Sequence, residues 1–367
     1  MTGYPGFIGQ RLVQTILAAE DDARILLLTQ EKFLEKARES LAGLPADQSS
    51  RAQILAGDIV AMDMGLSGDE YRQVVDEVTD IYHLAAIYYL GVPKRELYRV
   101  NVDGTRQVLD LARECTHLAR FNHFSTCFVS GTRVGVITEE ELDQGQGFRN
   151  EYERTKFLGE KLVQDARDEL PITIFRPSIV VGDSRTGEID QFRGIYHFGI
   201  LIVASPVAVP VPLPVEGVAP LNMVPIDYVV SACHRISLDP RAIGRTFHVV
   251  DPNPLSSRMV YELFAQRAGK RMPRWNLNYS LTRLLLKVPG LEKVARHSAQ
   301  TLDFLNHIAI YNCPSTLELL EGTGIHCPRF ESYYDNLIRY VRRHLRDKRA
   351  HEPSDIEDAL DAAPRTA

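Results

Sequence analysis

Two spacings of apolar residues share this chain. Arg24 to Thr29 (RILLLT) is a short apolar run of the kind buried on both faces of a parallel sheet, and Ile81 to Ala86, Phe121 to Phe124 and Ile172 to Val181 read as further strands. Between them apolar residues recur at helical intervals: Leu12, Ile16 and Leu17 within Gln10 to Ala19, then Glu31 to Leu41, Asn101 to Arg113, and Leu158, Leu162 and Val163 after Tyr152. A helix from Tyr228 to Ser237 and a strand from Thr246 to Val250 continue the pattern. Strands and helices in turn predict an α/β fold, a doubly wound parallel sheet covered on both faces.

The first helix is preceded by Gly3-x-x-Gly6-Phe7-Ile8-Gly9. Glycines there let the backbone approach a pyrophosphate, and a helix N-terminus adds donors and a favourable dipole. Gly3, Gly6, Phe7, Ile8 and Gly9 are therefore candidate cofactor-binding residues of a Rossmann domain. Such a loop should follow a buried strand, yet the chain starts at Met1. A strand of about five buried aliphatic residues, each worth ~1.5–3 kcal/mol, is missing, so the first strand is read as truncated and the true start as lying upstream.

Tyr152 and Lys156 stand four residues apart, which puts phenol and ammonium on one helix face. A free phenol titrates near ~10, and a neighbouring positive charge moves that value toward neutrality. Tyr152 could then exchange a proton with a substrate oxygen.

Composition narrows the class. A net charge of −6 over 367 residues leaves no electrostatic footprint for nucleic acid. Five cysteines without a CxxC pair fit a reducing cytosol, and a cytoplasmic location is expected. The start lacks a basic region followed by an apolar core, and no proline-free apolar run is long enough to span a bilayer. His83 has no second ligand at useful spacing and reads as a packed or surface histidine; no metal is expected.

Taken together, the glycine run, Phe124-Ser-Thr-Cys-Phe-Val-Ser-Gly131, the Tyr152/Lys156 helix and RPSIVVGDSRTGE (176–188) resemble the extended short-chain dehydrogenase/reductase family. More closely, they are similar to its thioester reductase and fatty acyl-CoA reductase branch, the male-sterility-protein type. The resemblance implies that Thr126 and Tyr152 hold the substrate oxygen, that Lys156 binds the cofactor ribose, and that Asn101 orders the network behind Lys156. Locally Asn101 reads equally well as a helix cap. The resemblance further implies cofactor contacts at Gln30, Asp58, Ile59, Ala85, Ala86, Pro177, Ser178 and Val180. The resembled branch uses NADPH, so NADP(H) is the expected cofactor with NAD(H) as the alternative. Gln30 departs from the arginine that the branch often carries there. Cys127 is weighed as a covalent acyl nucleophile and read instead as inert packing.

From Ile195 to Pro220 the chain is apolar with many prolines, too apolar for a solvated loop, and is read as the cover of an acyl groove or as a membrane-touching segment. Basic stretches at 280–287 and 293–297 read as solvated faces, with peripheral membrane contact as a second use. The expected division is 1–185 and 221–251 for the NADP-binding domain, 186–220 and 252–346 for a smaller, mostly helical substrate-binding region, and 347–367 for a disordered tail. The expected reaction is reduction of a fatty acyl thioester, delivered as acyl-CoA or on an acyl carrier protein, to the aldehyde or on to the alcohol. One rival keeps the site as a dehydrogenase or epimerase for a sterol-like or sugar-nucleotide alcohol. A rival of another class is a dinucleotide-sensing protein without turnover, against which stands the presence of both Tyr152 and Lys156.

Overall fold

The computed structural model describes residues 1–88, 91–190, 217–267, 269 and 306–351. The 195–216 part of the apolar segment, both basic stretches and residues 352–367 of the expected tail lie outside them. The elements run α1 (Phe7–Ala19), β1 (Ile25–Thr29), α2 (Leu34–Ala42), α3 (Ala46–Ser49), β2 (Ala52–Ala56), α4 (Gly68–Glu77), β3 (Asp80–His83), α5 (Lys94–Tyr98), α6 (Thr105–Glu114), β4 (Arg120–Phe124) and β5 (Gly135–Ile137). There follow α7 (Glu151–Asp165), β6 (Ile172–Pro177), β7 (Ile179–Val181), β8 (Met223–Pro225), α8 (Ile226–Ser237), β9 (Thr246–Val249), α9 (Ser257–Arg267), β10 (Ala309–Tyr311), α10 (Pro314–Leu320) and α11 (Phe330–His351).

The first unit comprises Met1–Val180, Ile226–Pro252 and Ala309–Cys327. Its strands β3, β4, β6 and β9 pair in that order, all parallel, and β1 pairs with β2. Met1 and Thr2 lie between the two groups. Thr2 bridges to Leu28 and to His83, Leu28 N donates to Met1 O (3.0 Å), and Thr2 N donates to Tyr82 O (2.9 Å). The parallel order is thus β2, β1, residues 1–2, β3, β4, β6, β9, the doubly wound arrangement with the glycine loop leaving its centre. Every residue of β4 and β6 is buried, as central strands require, whereas β1 alternates between buried and half-buried positions. Leu12, Val13, Ile16 and Leu17 form the buried face of α1.

Three expectations need correction, the third in the last helix. Asn101 does not open a helix: α5 continues through a π-helical turn at Arg99–Gly104 into α6, with Asn101 inside that turn. Such single π turns arise when an extra residue is accommodated in an otherwise continuous helix. The segment Ala309–Cys327, expected with the substrate region, belongs to the first unit, where β10 pairs in parallel with β5.

The second unit comprises Val181–Pro225, Asn253–Ile308 and Pro328–Ala367. In α11, Phe330, Tyr333, Leu337, Ile338 and Val341 are buried at helical spacing, and Phe330 meets Phe264 of α9 edge-on with centroids 6.0 Å apart. The helix continues to His351, so Asp347–His351, expected to be disordered, is helical. No described helix is long and apolar enough to cross a membrane.

Candidate active site

The predicted residues of the first unit gather after the carboxyl ends of its parallel strands, where ligands of open α/β sheets bind. Gly3 has φ +84°, and a Cβ there would lie 2.7 Å from Ala85 N. Only glycine allows this turn to lie against the chain leaving β3. At Gly6 a Cβ would come within 2.8 Å of Gly3 O. The loop delivers the chain into α1, whose N-terminus has no side-chain cap and no acidic residue in its first turn. An anionic pyrophosphate fits such a helix end.

At the neighbouring strand ends, Gln30 Nε2 donates to Asp58 Oδ2 (2.8 Å), which brings together two of the predicted residues. Ile59 packs in the core with Leu55 and Met64. Ala85 and Ala86 are half-buried, Ala85 directly beside Gly3, and Val180 is half-buried in β7. Pro177 ends β6. The Ser178 hydroxyl is buried without a hydrogen-bond partner among the described residues, a donor suited to a polar ligand.

Behind the loop runs a directed chain of hydrogen bonds. Ala85 N donates to Thr2 Oγ1 (3.2 Å), Thr2 Oγ1 lies 2.8 Å from His83 Nδ1, His83 Nε2 lies 3.1 Å from Thr105 Oγ1, and Thr105 donates to Asn101 O (2.9 Å). One assignment satisfies all four: His83 carries its proton on Nε2 and accepts at Nδ1. Burial pushes the His83 pKa down to about 3, so the ring is neutral and packed, as its isolation in sequence implied.

The catalytic candidates come from β4 and α7. Asn150 caps α7 by accepting from Glu153 N (2.9 Å). Lys156, 5% exposed, donates to Phe124 O (2.8 Å). Thr126, just beyond, caps the following turn by accepting from Phe128 N (3.3 Å), donates to Pro177 O (3.4 Å), and lies close enough to the Tyr152 phenol to act on it. Asn101 Oδ1 accepts from Ile87 N (2.8 Å), and its Nδ2 donates to Ile87 O (2.9 Å) and to Thr155 Oγ1 (3.0 Å). Asn101 therefore fastens the chain after β3 to the residue before Lys156. A Cβ at Gly159 would lie 2.4 Å from Asn101 O, so α7 and the π turn touch backbone to backbone.

The phenol does not behave as its spacing from Lys156 suggested. Burial raises the Tyr152 pKa to about 12, the Thr126 hydroxyl opposing it, while Glu153, Tyr88 and Cys127 raise it further. Desolvation of the phenolate prevails over any help from Lys156, whose ammonium is turned to the Phe124 carbonyl. Lys156 is itself lowered to about 8 by burial, against the opposing charge of Glu160. Cys127 is buried, donates to Arg176 O (3.0 Å), and has its thiol pushed well above its ordinary value, so it is packing rather than a nucleophile.

A further polar cluster escaped the sequence. Glu160 and Arg176, 0% and 1% exposed, form a bidentate pair with Nε 3.0 and 3.1 Å from the two carboxylate oxygens. Ser125 donates to Glu160 Oε2, and Arg176 Nη1 donates to Glu139 O (3.3 Å). Glu139 in turn accepts from His248 N (2.9 Å), Ser315 N (2.7 Å) and the Thr316 hydroxyl (3.0 Å). Glu160 follows Lys156 by four residues, so the spacing that picked out Tyr152 and Lys156, carried one step further, finds it. No local signal marks the partners of Glu139, which come from distant segments.

Residues 1–233 match the male sterility protein family, and the chain belongs to that NAD-binding family. Fold and family place the chain in the extended short-chain dehydrogenase/reductase class, a class of NAD(P)-dependent oxidoreductases. The chain is 30% identical over 234 residues to fatty acyl-CoA reductase wat of Drosophila melanogaster, covering 53% of this chain and 45% of that protein. It is also 30% identical over 269 residues to the non-canonical nonribosomal peptide synthetase cpsA of Aspergillus campestris, 68% of this chain and 25% of that one. The chain thus spans less than half the length of either relative. Among solved structures, the terminal R domain from the myxalamid PKS-NRPS biosynthetic pathway superposes with a TM-score of 0.77 at 28% identity, over 94% of this chain and 90% of that one. A UDP-glucuronic acid 4-epimerase from Bacillus cereus shares the fold at 17% identity with a TM-score of 0.66, over 97% of this chain and 98% of that one.

Proposed function

We propose that this protein reduces a fatty acyl thioester, presented by coenzyme A or by an acyl carrier protein, to the aldehyde, with NADPH as reductant. A bound nicotinamide supplies the hydride that adds to the thioester carbon. The observation that carries the reading is the meeting of the Thr126 and Tyr152 hydroxyls at the end of β4, with Lys156 behind them. The Tyr152 phenol, and the Thr126 hydroxyl once it turns from the Pro177 carbonyl, would hold the carbonyl oxygen and stabilise the negative charge that grows on it as the carbon becomes tetrahedral. A phenol raised to about 12 keeps its proton at neutral pH and so serves as donor. Reformation of the carbonyl then breaks the carbon–sulfur bond, and the thiolate takes up a proton as it leaves. Lys156 would bind the ribose hydroxyls, and Asn101 would hold the helix that carries Lys156. The glycine loop and the α1 N-terminus would take the pyrophosphate, with Ser178 available to the nicotinamide end. An alcohol product would require the aldehyde to stay for a second hydride at the same two donors. The second unit is the proposed contributor of the acyl-binding surface.

The test is oxidation of NADPH, and separately of NADH, by the purified chain across acyl-CoA chain lengths and an acylated carrier protein, with aldehyde and alcohol quantified. Thioester-dependent oxidation that Tyr152→Phe reduces by about 10²-fold or more supports the proposal. Cofactor binding with no turnover on any thioester sinks it.

A further inference from the structure

Besides the contact of Thr126 with Tyr152, two ties join the end of β4 to α7 at this site. One is the Lys156 ammonium on Phe124 O; the other is the Ser125 hydroxyl on Glu160, one helical turn further along. Under the proposed function, Lys156 also engages a ribose with its remaining N–H donors, so its ammonium is shared between the Phe124 carbonyl and the cofactor. The second tie is independent of that sharing. Glu160 is anchored from the other side by Arg176, whose backbone carbonyl accepts from Cys127, while the next carbonyl, that of Pro177, accepts from Thr126. The ion pair thus reaches Ser125 through Glu160, while the β6 backbone of the same Arg176 holds Cys127, so the residues on both sides of Thr126 are fixed. A buried pair with its remaining sites hydrogen-bonded fixes geometry more than it adds stability. We infer that Glu160 is a positioning residue: seated on Arg176, it clamps Ser125, and with it Thr126, against α7, so that the alignment of Thr126 with Tyr152 survives when Lys156 engages the cofactor. The inference rests on the reading of Thr126 and Tyr152 as the paired donors.

The primary test is Ser125→Ala in the full chain, which removes one hydroxyl and leaves the ion pair intact. The expected result is a fall in kcat of about 10- to 100-fold, the scale of a misplaced donor, with KM for NADPH unchanged. Amide exchange at Phe128, which Thr126 caps, is expected to quicken while that of Phe121–Phe124 is not. Glu160→Gln supplies the second readout. Its charge supports the Lys156 ammonium, so the alkaline limb of the kcat/KM profile is expected to move to lower pH, a shift that Ser125→Ala does not produce. Wild-type kcat in Ser125→Ala, or unchanged exchange at Phe128, overturns the clamp; so does accelerated exchange throughout the sheet, which marks general loosening. Were the wild type inactive on every thioester, the functional reading alone would fall, and Phe128 exchange would still decide the clamp.

Discussion

The Tyr152 phenol and the Lys156 ammonium are both shifted by burial, the first to about 12 and the second to about 8. A titration of the cofactor-free protein should therefore show the phenolate absorbance missing from Tyr152→Phe only near pH 12; appearance near neutrality would contradict this account. The histidines carry the opposite sensitivity. Burial lowers His83 and His248 to about 3 and His123 well below its ordinary value. Between about 3 and the unfolded value near ~6.5 the unfolded chain binds more protons, so stability is lost as pH falls through that window. His123 has two ring nitrogens without a hydrogen-bond partner among the described residues, and its ring lies 5.4 Å from that of His83. His123→Leu removes an unsatisfied buried group and is expected to stabilise the protein by about 1–3 kcal/mol and to weaken its acid sensitivity. Chemical denaturation at pH 4.5 and 7.5 checks both signs.

At the level of elements, the helix that carries Tyr152 and Lys156 is placed by a close backbone approach. Gly159→Ala puts a methyl 2.4 Å from Asn101 O, where the neighbour is backbone and cannot rotate away. A loss of about 1–3 kcal/mol is expected, together with lower kcat, since the shift separates Thr155 from Asn101 and displaces Lys156. Thermal melts and turnover measured together would show it; an unaffected melting temperature would mean that α7 has room to move. Much of this was legible in the chain. The strand and helix order, the glycine turn and the Tyr152/Lys156 face follow from local spacing, which is where backbone geometry acts. The π turn was not, because Arg99–Gly104 carries no residue type that separates it from ordinary helix. Nor was the direction of the Tyr152 shift, since spacing names the neighbour of a phenol but not the chain that covers it. Cys127 was read correctly as packing because buried thiols usually are.

For the whole molecule, the first unit draws on three separated stretches, and Glu139 joins all three through His248, Ser315 and Thr316. Thr316→Val deletes the hydroxyl that sits 3.0 Å from Glu139 Oε1 and 2.9 Å from His248 O. Its expected cost is about 1–3 kcal/mol, or a fall of roughly 2–4 °C in Tm per kcal/mol for a unit of this size. Dinucleotide should offset most or all of the loss, because a ligand at 100 times its Kd adds about 2.7 kcal/mol to the folded state. Calorimetry with and without NADPH tests both, and Gly3→Ala should abolish the offset by blocking the turn.

The pairing of β10 with β5 and the hold of Glu139 on Ser315 and Thr316 also set an order of events during synthesis. Until the ribosome has released the chain beyond Thr316, a carboxylate destined for the interior has none of its last partners. The nucleotide-binding half is thus made early but finished late, and a module exchange that cuts after Asp251 would leave it with an open seam.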